Sequence, residues 1–536
     1  MDIWMTLQKA VSLYPEKTAL IDGDHSFTYA QINDRVQALC GFFRSQGIGI
    51  NDRVAIIETN SHAFFEAYYA AAGLGAILTP LNYRLSPREA AFILQDAGAK
   101  WLLVGSTFAD LTKGVLAEKT PLEGIVWIGG EPPFKTEVSI YRYEKIIFAH
   151  AGQFQPVPVK DDQIAHLYYT SGTTGKPKGV MLTHKNVCTH ALGTVAELKL
   201  DSTDIWGHIA PMFHLADAWA TFAITLVGGR HVMVRHFDPE AVMSVIEKER
   251  IVLSNLIPTM LNLMVKHPKI GSYDFSSLRV ILSGGAPIAP ELVRKIIEIF
   301  NCDYIQTYGM TETSPYLTLS ILKDHLKALT PQEQLVYKAK TGRPFITVEL
   351  KVVDNDGVSV APDEKQVGEI WVRGDTITPG YWNRPTETQE AFCDGWLRTG
   401  DMAVVDAEGY VNIVDRKKDM ILSGGENIYS IEVENVLYMD PKILEAAVFG
   451  IPDEKWGEAV KAAVVLKPGM TASEEEIIRW CKDRLASYKA PKSIAFLQEL
   501  PKTGSGKLYK KGLRDLYGSG STVLPQQDKG SSLAGN

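Results

Sequence analysis

Apolar positions along the first third of the chain change period repeatedly. From Tyr29 to Ser45 they fall at helical spacing, whereas Arg53-Val54-Ala55-Ile56-Ile57 is a short apolar run of strand length. Helical spacing returns over Ser61 to Gly73, and Ala76-Ile77-Leu78-Thr79-Pro80 again reads as a strand. Such alternation predicts an open, largely parallel α/β sheet over residues 1–160. The same texture recurs between Asn186 and Tyr304, with strands expected at Val232–Val234, Val252–Leu256 and Val280–Ser283. From Thr341 to Val414 short β runs (Val348–Val353, Gly368–Arg373, Met402–Val405, Tyr410–Val414) are separated by turn-forming residues, which predicts a small β subdomain. The polar run Asp415-Arg416-Lys417-Lys418-Asp419 then precedes a final α/β unit, long enough to be a domain of its own. Ser473-Glu474-Glu475-Glu476 is a capping box ahead of the apolar positions Ile477, Ile478 and Cys481. After Leu516 the chain turns to Gly, Ser and Gln, and disorder is expected.

The longest apolar stretch, Ala63 to Leu81, is broken by Glu66, Gly73, Gly75 and Pro80. It reads as a buried helix running into a strand, so no integral membrane segment is expected, while peripheral contact stays open. With 536 residues, 45% hydrophobic and 22% charged, the composition is that of a multi-core globular protein. The net charge of -8 argues against a nucleic-acid partner. Five scattered cysteines without a CxxC pair, and a start without a basic or apolar leader, predict a reduced, cytoplasmic protein.

The richest chemistry lies in Thr170-Ser171-Gly172-Thr173-Thr174-Gly175-Lys176-Pro177-Lys178-Gly179. An apolar strand enters this run, and Val180-Met181-Leu182 leaves it as another. Glycines that expose backbone amides, four hydroxyls and two lysines suit a loop that wraps a polyphosphate. The Walker A pattern is absent, because Lys176-Pro177 follows Gly175 where that motif needs Lys-Ser or Lys-Thr.

From here the chain resembles the adenylate-forming superfamily, over about residue 5 to about residue 515. Further motifs stand in that family's order: Pro211-Met212-Phe213-His214, Ser283-Gly284-Gly285-Ala286-Pro287, Tyr308-Gly309-Met310-Thr311-Glu312, and Trp396-Leu397-Arg398-Thr399-Gly400-Asp401. They are followed by Asp415-Arg416-Lys417-Lys418-Asp419, Ser423-Gly424-Gly425-Glu426-Asn427 and Pro501-Lys502-Thr503-Gly504-Ser505-Gly506-Lys507. The resemblance implies ATP, Mg2+ and coenzyme A as co-substrates and cofactors. It also implies a large N-terminal domain (1–415) of two α/β sheet subdomains plus a small β subdomain, a hinge (416–419), and a small mobile α+β C-terminal domain (420–516) before the tail (517–536).

Residue by residue, the resemblance places Lys507, as the catalytic lysine, together with Glu312, Thr311 and His214 in catalysis, and Glu312 with a hydroxyl such as Thr170 as the magnesium site. Thr170, Ser171, Gly172, Thr173, Thr174, Gly175 and Lys178 would hold phosphates. Tyr308 would face the adenine across Gly285, Ala286 and Pro287, with Gln306, Thr307, Gly309 and Thr311 completing the nucleotide site. Asp401 and Arg416 would take the ribose, although Asp401 also reads as a turn residue after Gly400. Lys418 falls at the hinge. Gly424, Gly425 and Glu426 match the glycine turn beside the pantetheine tunnel, or form a plain turn. His214 is either an acyl-pocket gate or a satisfied core histidine.

The chain continues only briefly past Lys507, which favours coenzyme A over a fused carrier protein as acceptor. Gly309, where acetate-specific relatives carry tryptophan, and the alanines Ala216 and Ala220, together with Gly284 and His214, suggest a roomy acyl pocket. A medium- or long-chain fatty acid is the first expectation and an aryl carboxylate the second. A luciferase-like oxygenase and a carrier-protein acyl-adenylating enzyme are minor alternatives. The chain is expected to be a monomer or a homodimer.

Overall fold

The computed structural model describes residues 1–150, 152, 154–170, 177–286, 288–502 and 508–518. Two large sheets dominate. One has seven strands in the spatial order Ser139–Arg142, Gly124–Ile128, Trp101–Gly105, Arg53–Ile57, Ile77–Pro80, Ile164–Thr170, Lys178–Thr183. It is parallel apart from the closing hairpin of the last two strands. The other has nine strands, parallel through its middle and antiparallel at both ends. Its centre holds Leu253–Asn255, Val280–Gly284 and Asp303–Gly309, whose carboxyl ends carry the glycine motifs. Crevices at such strand ends are where open α/β sheets bind ligands.

The helices expected from spacing form within a residue or so of the predicted bounds. Tyr29–Ser45 begins on a capping box of Thr28 and Gln31, and His62–Leu74 is capped by Ser61. The second helix is buried from Ala63 through Leu74, and the buried Glu66 inside it is neutralised by Arg35 at 2.7 Å. Residues 1–160 do not form one sheet, however. The hairpin Thr18–Asp22 and His25–Thr28 leaves its sequence neighbours and pairs with Arg230–Met233 on the nine-stranded sheet.

A five-stranded antiparallel sheet follows, built on Glu349–Val353, Gly368–Arg373 and Trp396–Val405. The strand expected to start at Met402 starts at Trp396, because Gly400, at φ +73, takes a left-handed conformation inside the ladder rather than ending it. Asp401 therefore stands on a strand, directly opposite Arg416. The C-terminal unit is a second five-stranded sheet with the helices Ser430–Tyr438, Glu474–Lys482 and Lys510–Gly518, and it has its own apolar core. The expected capping box of Ser473 and Glu476 forms. The last helix runs through Gly518, so Tyr517 and Gly518 are helical rather than part of the tail; Ser519 onward lies outside the described residues. At the junction, Asp415 accepts hydrogen bonds from the backbone and hydroxyl of Ser430, and Arg514 pairs with Asp419 at 2.8 Å.

Candidate active site

The strands that flank the polyphosphate-type run, Ile164–Thr170 and Lys178–Thr183, form a hairpin in which Thr170 pairs directly with Lys178. Ser171, Gly172, Thr173, Thr174 and Gly175 lie outside the described residues, as does Lys176. The outgoing strand is bound by the segment 380–382, which belongs to none of the motifs above. Trp382 N–H donates to the Gly179 carbonyl at 2.8 Å, Met181 N–H to the Gly380 carbonyl at 3.1 Å, and Val180 bridges Tyr381. The Lys178 ammonium lies 5.2 Å over the Tyr381 ring.

The same tyrosine reaches Glu312. Glu312 stands in the 3-10 turn Thr311–Thr313 and is buried; its Oε1 accepts from the Tyr381 hydroxyl at 2.9 Å, and its carbonyl accepts from Thr378 N–H at 2.8 Å. The punctuation Pro379-Gly380-Tyr381-Trp382-Asn383-Arg384-Pro385, glycine and prolines around an aromatic pair, was the available signal for this segment.

Tyr308, at the end of the strand Asp303–Gly309, donates its hydroxyl to Asp401 Oδ2 at 2.6 Å, and Arg416 Nε stands 3.4 Å from Asp401 Oδ1. The distant strand Asp303–Gly309 and the paired strands Trp396–Val405 and Val411–Arg416 thus meet at one carboxylate. Burial, with the Asp401 charge beside it, holds the Tyr308 phenol well above its ordinary pKa, so it stays a donor. Alongside, Gln306 Nε2 donates to the Ala286 carbonyl at 3.2 Å and Thr307 Oγ1 to the Ser283 carbonyl at 3.2 Å. Gly285 has φ +83 with open space where a side chain would stand; Pro287 lies outside the described residues.

Two glycines expected to open an acyl pocket have another reason to be glycine. A Cβ on Gly309 would lie 1.9 Å from the Pro315 carbonyl oxygen, because the chain doubles back there and Met310 N–H bonds that same oxygen. A Cβ on Gly284 would meet Thr307 at 2.3 Å. The space these residues leave is filled by neighbouring protein atoms, so Gly309 does not open the acyl pocket that its motif suggests.

His214 caps the helix Leu215–Leu226: its Nδ1 accepts from Ala216 N–H at 3.0 Å, which leaves the ring proton on Nε2. Ala216 and Ala220 follow one turn apart. The Ala216 carbonyl accepts from Asn255 Nδ2 at 2.7 Å and from Trp219 Nε1 at 3.1 Å. Trp219 packs edge-on to Trp206 (centroids 4.8 Å apart), and also against Tyr316 and His190; His190 in turn stacks on Phe345. Asn255 Oδ1 and the Tyr316 hydroxyl, which faces Trp219, are two of twelve buried side-chain polar atoms that lack a well-formed hydrogen bond among the described residues. Neither residue was picked out from sequence, since an unmatched polar atom is a property of packing alone. Asp217 serves a separate buried network, taking hydrogen bonds from Trp206 Nε1 and His208 Nδ1.

In the C-terminal unit, Gly424 and Gly425 form the two-residue turn between Ile421–Ser423 and Glu426–Ile428, with φ +62 and +86. Successive positive φ values are the hallmark of a hairpin turn that favours glycine. A side chain on Gly424 would strike the Trp456 indole at 2.8 Å, whereas Gly425 faces open space and Glu426 is exposed. Lys418 lies in the connecting segment, its pKa lowered by desolvation and by Arg416 and Arg514, against the opposing charge of Asp419. Lys507 lies outside the described residues.

A large two-sheet α/β body ending in a loop-and-carboxylate site, followed by a small sheet domain, is the build of an adenylate-forming enzyme. Residues 7–382 match the family described as AMP-binding enzyme and residues 432–507 match the AMP-binding enzyme C-terminal domain, so the chain belongs to that family. Within it, the chain is an ATP-dependent acid–CoA ligase, an acyl-CoA synthetase. It is 38% identical over 509 residues to a feruloyl-CoA synthase of an Amycolatopsis species, covering 94% of this chain and 96% of the relative. It is 35% identical over 526 residues to a long-chain-fatty-acid–CoA ligase of Thermus thermophilus, covering 96% of each. Among solved structures, the o-succinylbenzoate CoA synthetase of Bacillus subtilis, in complex with its acyl-adenylate intermediate, is similar with a TM-score of 0.82 and 30% identity, covering 96% of this chain and 98% of that one. Among the described residues no helix is long and apolar enough to cross a membrane.

Proposed function

We propose that this ligase activates a compact, ring-bearing carboxylic acid with a polar substituent, of the hydroxybenzoate or hydroxycinnamate kind, by way of its acyl-adenylate. The observation that carries this reading is the aromatic wall of Trp219, Trp206, Tyr316 and His190 behind Ala216, together with the two unmatched buried atoms, Asn255 Oδ1 and Tyr316 OH. A buried polar atom left without a partner costs on the order of 1–3 kcal/mol, which a hydroxyl on the bound acid would recover. The 38% identity to feruloyl-CoA synthases supports the same class. A fatty acid is the second reading, favoured by the 35% identity to long-chain ligases.

In the first half-reaction, an oxygen of the substrate carboxylate attacks the α-phosphorus of ATP and pyrophosphate leaves. In the second, the coenzyme A thiolate attacks the acyl carbon and AMP leaves. Two anions must meet in the first step, so donors and cations have to stand where charge gathers. We assign Thr170, Lys178 and the loop between them to the phosphates, and Lys507 to the α-phosphate during adenylation. Asp401 accepts from the ribose hydroxyls with Arg416 beside it, and Tyr308 flanks the adenine against Gly285 and Ala286. Glu312 and Thr170 would hold magnesium; a single buried carboxylate suits an ion that takes its other oxygens from phosphates and water, and bound there it would neutralise phosphate charge. Lys418 is assigned to the hinge between residues 1–415 and 420–516, and rotation about it would bring Gly424, Gly425 and Glu426 beside the pantetheine arm.

Acid-dependent pyrophosphate release across benzoate, 4-hydroxybenzoate, cinnamate, ferulate, butyrate, octanoate and palmitate, with and without coenzyme A, tests this. A hydroxylated ring acid should give the highest kcat/KM. Rates rising steadily with alkyl length would establish the fatty-acid reading instead.

A further inference from the structure

Tyr381 is the one side chain described that touches both halves of the polyphosphate site. Its hydroxyl donates to Glu312 Oε1 at 2.9 Å, while its ring lies under the Lys178 ammonium at 5.2 Å. Its own position is over-determined. Backbone bonds tie residues 380–382 to the outgoing strand, Tyr381 N–H donates to Thr388 Oγ1 at 2.9 Å, and Thr378 Oγ1 bonds the Met181 and Gly380 carbonyls. Two residues before Thr378 in the same strap, the Thr376 carbonyl accepts from Ser314 Oγ at 2.8 Å, so the turn bearing Glu312 is fastened as well.

We infer that Tyr381 is a positioning residue for adenylation: its hydroxyl fixes the carboxylate plane of Glu312 for the metal–ATP complex, and its ring sets the height of Lys178 beneath the phosphates. This rests on the proposed roles of Glu312 and Lys178. A carboxylate that accepts from a fixed phenol has its plane and its remaining lone pairs oriented before any ligand arrives, and such outer partners commonly govern metal affinity by about 10–100-fold. A cation over an aromatic face keeps its charge while losing freedom to swing away. The two effects use different parts of one side chain, so they separate by substitution.

Tyr381→Phe removes the hydroxyl and keeps the ring; Tyr381→Leu removes both. Mn2+ binding, followed by its electron paramagnetic resonance signal with a non-hydrolysable ATP analogue present, should weaken about 10–100-fold in Tyr381→Phe. The Mg2+ concentration for half-maximal pyrophosphate exchange should rise by the same factor, with the KM for ATP at saturating Mg2+ unchanged. Tyr381→Leu should add a rise in that KM. Thioester formation from pre-made acyl-adenylate should match wild type in both. In a double-mutant cycle on Mn2+ affinity, Tyr381→Phe should cost nothing further in a Glu312→Gln background. Wild-type Mn2+ affinity in Tyr381→Phe, or additive losses in the cycle, would overturn the inference. Lack of acid-dependent exchange in the unmodified enzyme would instead refute the ligase roles on which it rests.

Discussion

At Gly309 a residue chosen for one reason turns out to be required for another. Its position in Tyr-Gly-Met-Thr-Glu invited a reading in terms of the acid, yet what fills the missing side-chain volume is the carbonyl of Pro315. Gly309→Ala is therefore expected to reduce adenylation of short and long acids alike and to lower stability by about 1–3 kcal/mol, the usual cost of forcing atoms into a packed site. Urea denaturation and specificity constants for acids of increasing length would show it; a selective loss of long acids would restore the pocket reading. The convergence on Asp401 was more legible. Tyr308, Asp401 and Arg416 were each named from their motifs and stand within hydrogen-bond or ion-pair reach of one another. Tyr381, Asn255 and Tyr316 were not, because their relevance arises from which atoms face them across the fold, and a string of residue types does not contain that.

Helix bounds were readable where a capping side chain and an apolar period coincide, as at Ser61 and Thr28. Strand bounds failed where glycine looked like a turn, as at Gly400, whose left-handed residue sits within the ladder. What joins elements to each other was less visible still. The first residue of the buried helix, His62, bonds Asp22 Oδ2 at 2.7 Å and stands 3.5 Å from Glu144, so one imidazole ties a strand and two helices. Burial works to lower its pKa, but the bonds to Asp22 and Glu144 and the charge of Glu66 hold it at about 9. Because this value exceeds the unfolded one near 6.5, the tie contributes fully below about pH 6.5 and is lost as pH rises through about 9. At most about 3 kcal/mol is at stake, since Glu144 is largely solvent-exposed. Wild-type unfolding free energy should fall across that window, and His62→Gln should flatten the slope. A wild-type curve that is already flat would remove His62 from the account.

On the scale of the whole molecule, the division into a large body and a small terminal unit was read correctly from a change of texture and a polar run. The proposed hinge gives that division a function. Lys418→Pro would restrict φ near -65° at the proposed hinge. Acyl-adenylate should still form, seen as pyrophosphate exchange within about twofold of wild type, while its discharge by coenzyme A slows by an order of magnitude or more. Unimpaired thioester synthesis by this variant would exclude rotation about that residue. The sheet expected over residues 1–160 loses its first hairpin to the other sheet for a plain cause: neither Thr18–Asp22 nor His25–Thr28 carries any mark of a partner strand so far downstream.

That distant pairing also sets a schedule for synthesis. The strand Thr18–Asp22 leaves the ribosome early but must wait for Arg230–Met233, roughly 200 residues later, before its open edge is covered. At about 5–20 residues per second the nascent chain spends on the order of 10–40 s with that edge unpaired. A template for wrong partners is thus on display during translation and hidden afterwards. The mature enzyme and its nascent chain therefore differ in what they must be protected from, and slow decoding ahead of residue 230 would lengthen the hazard without changing a single native contact.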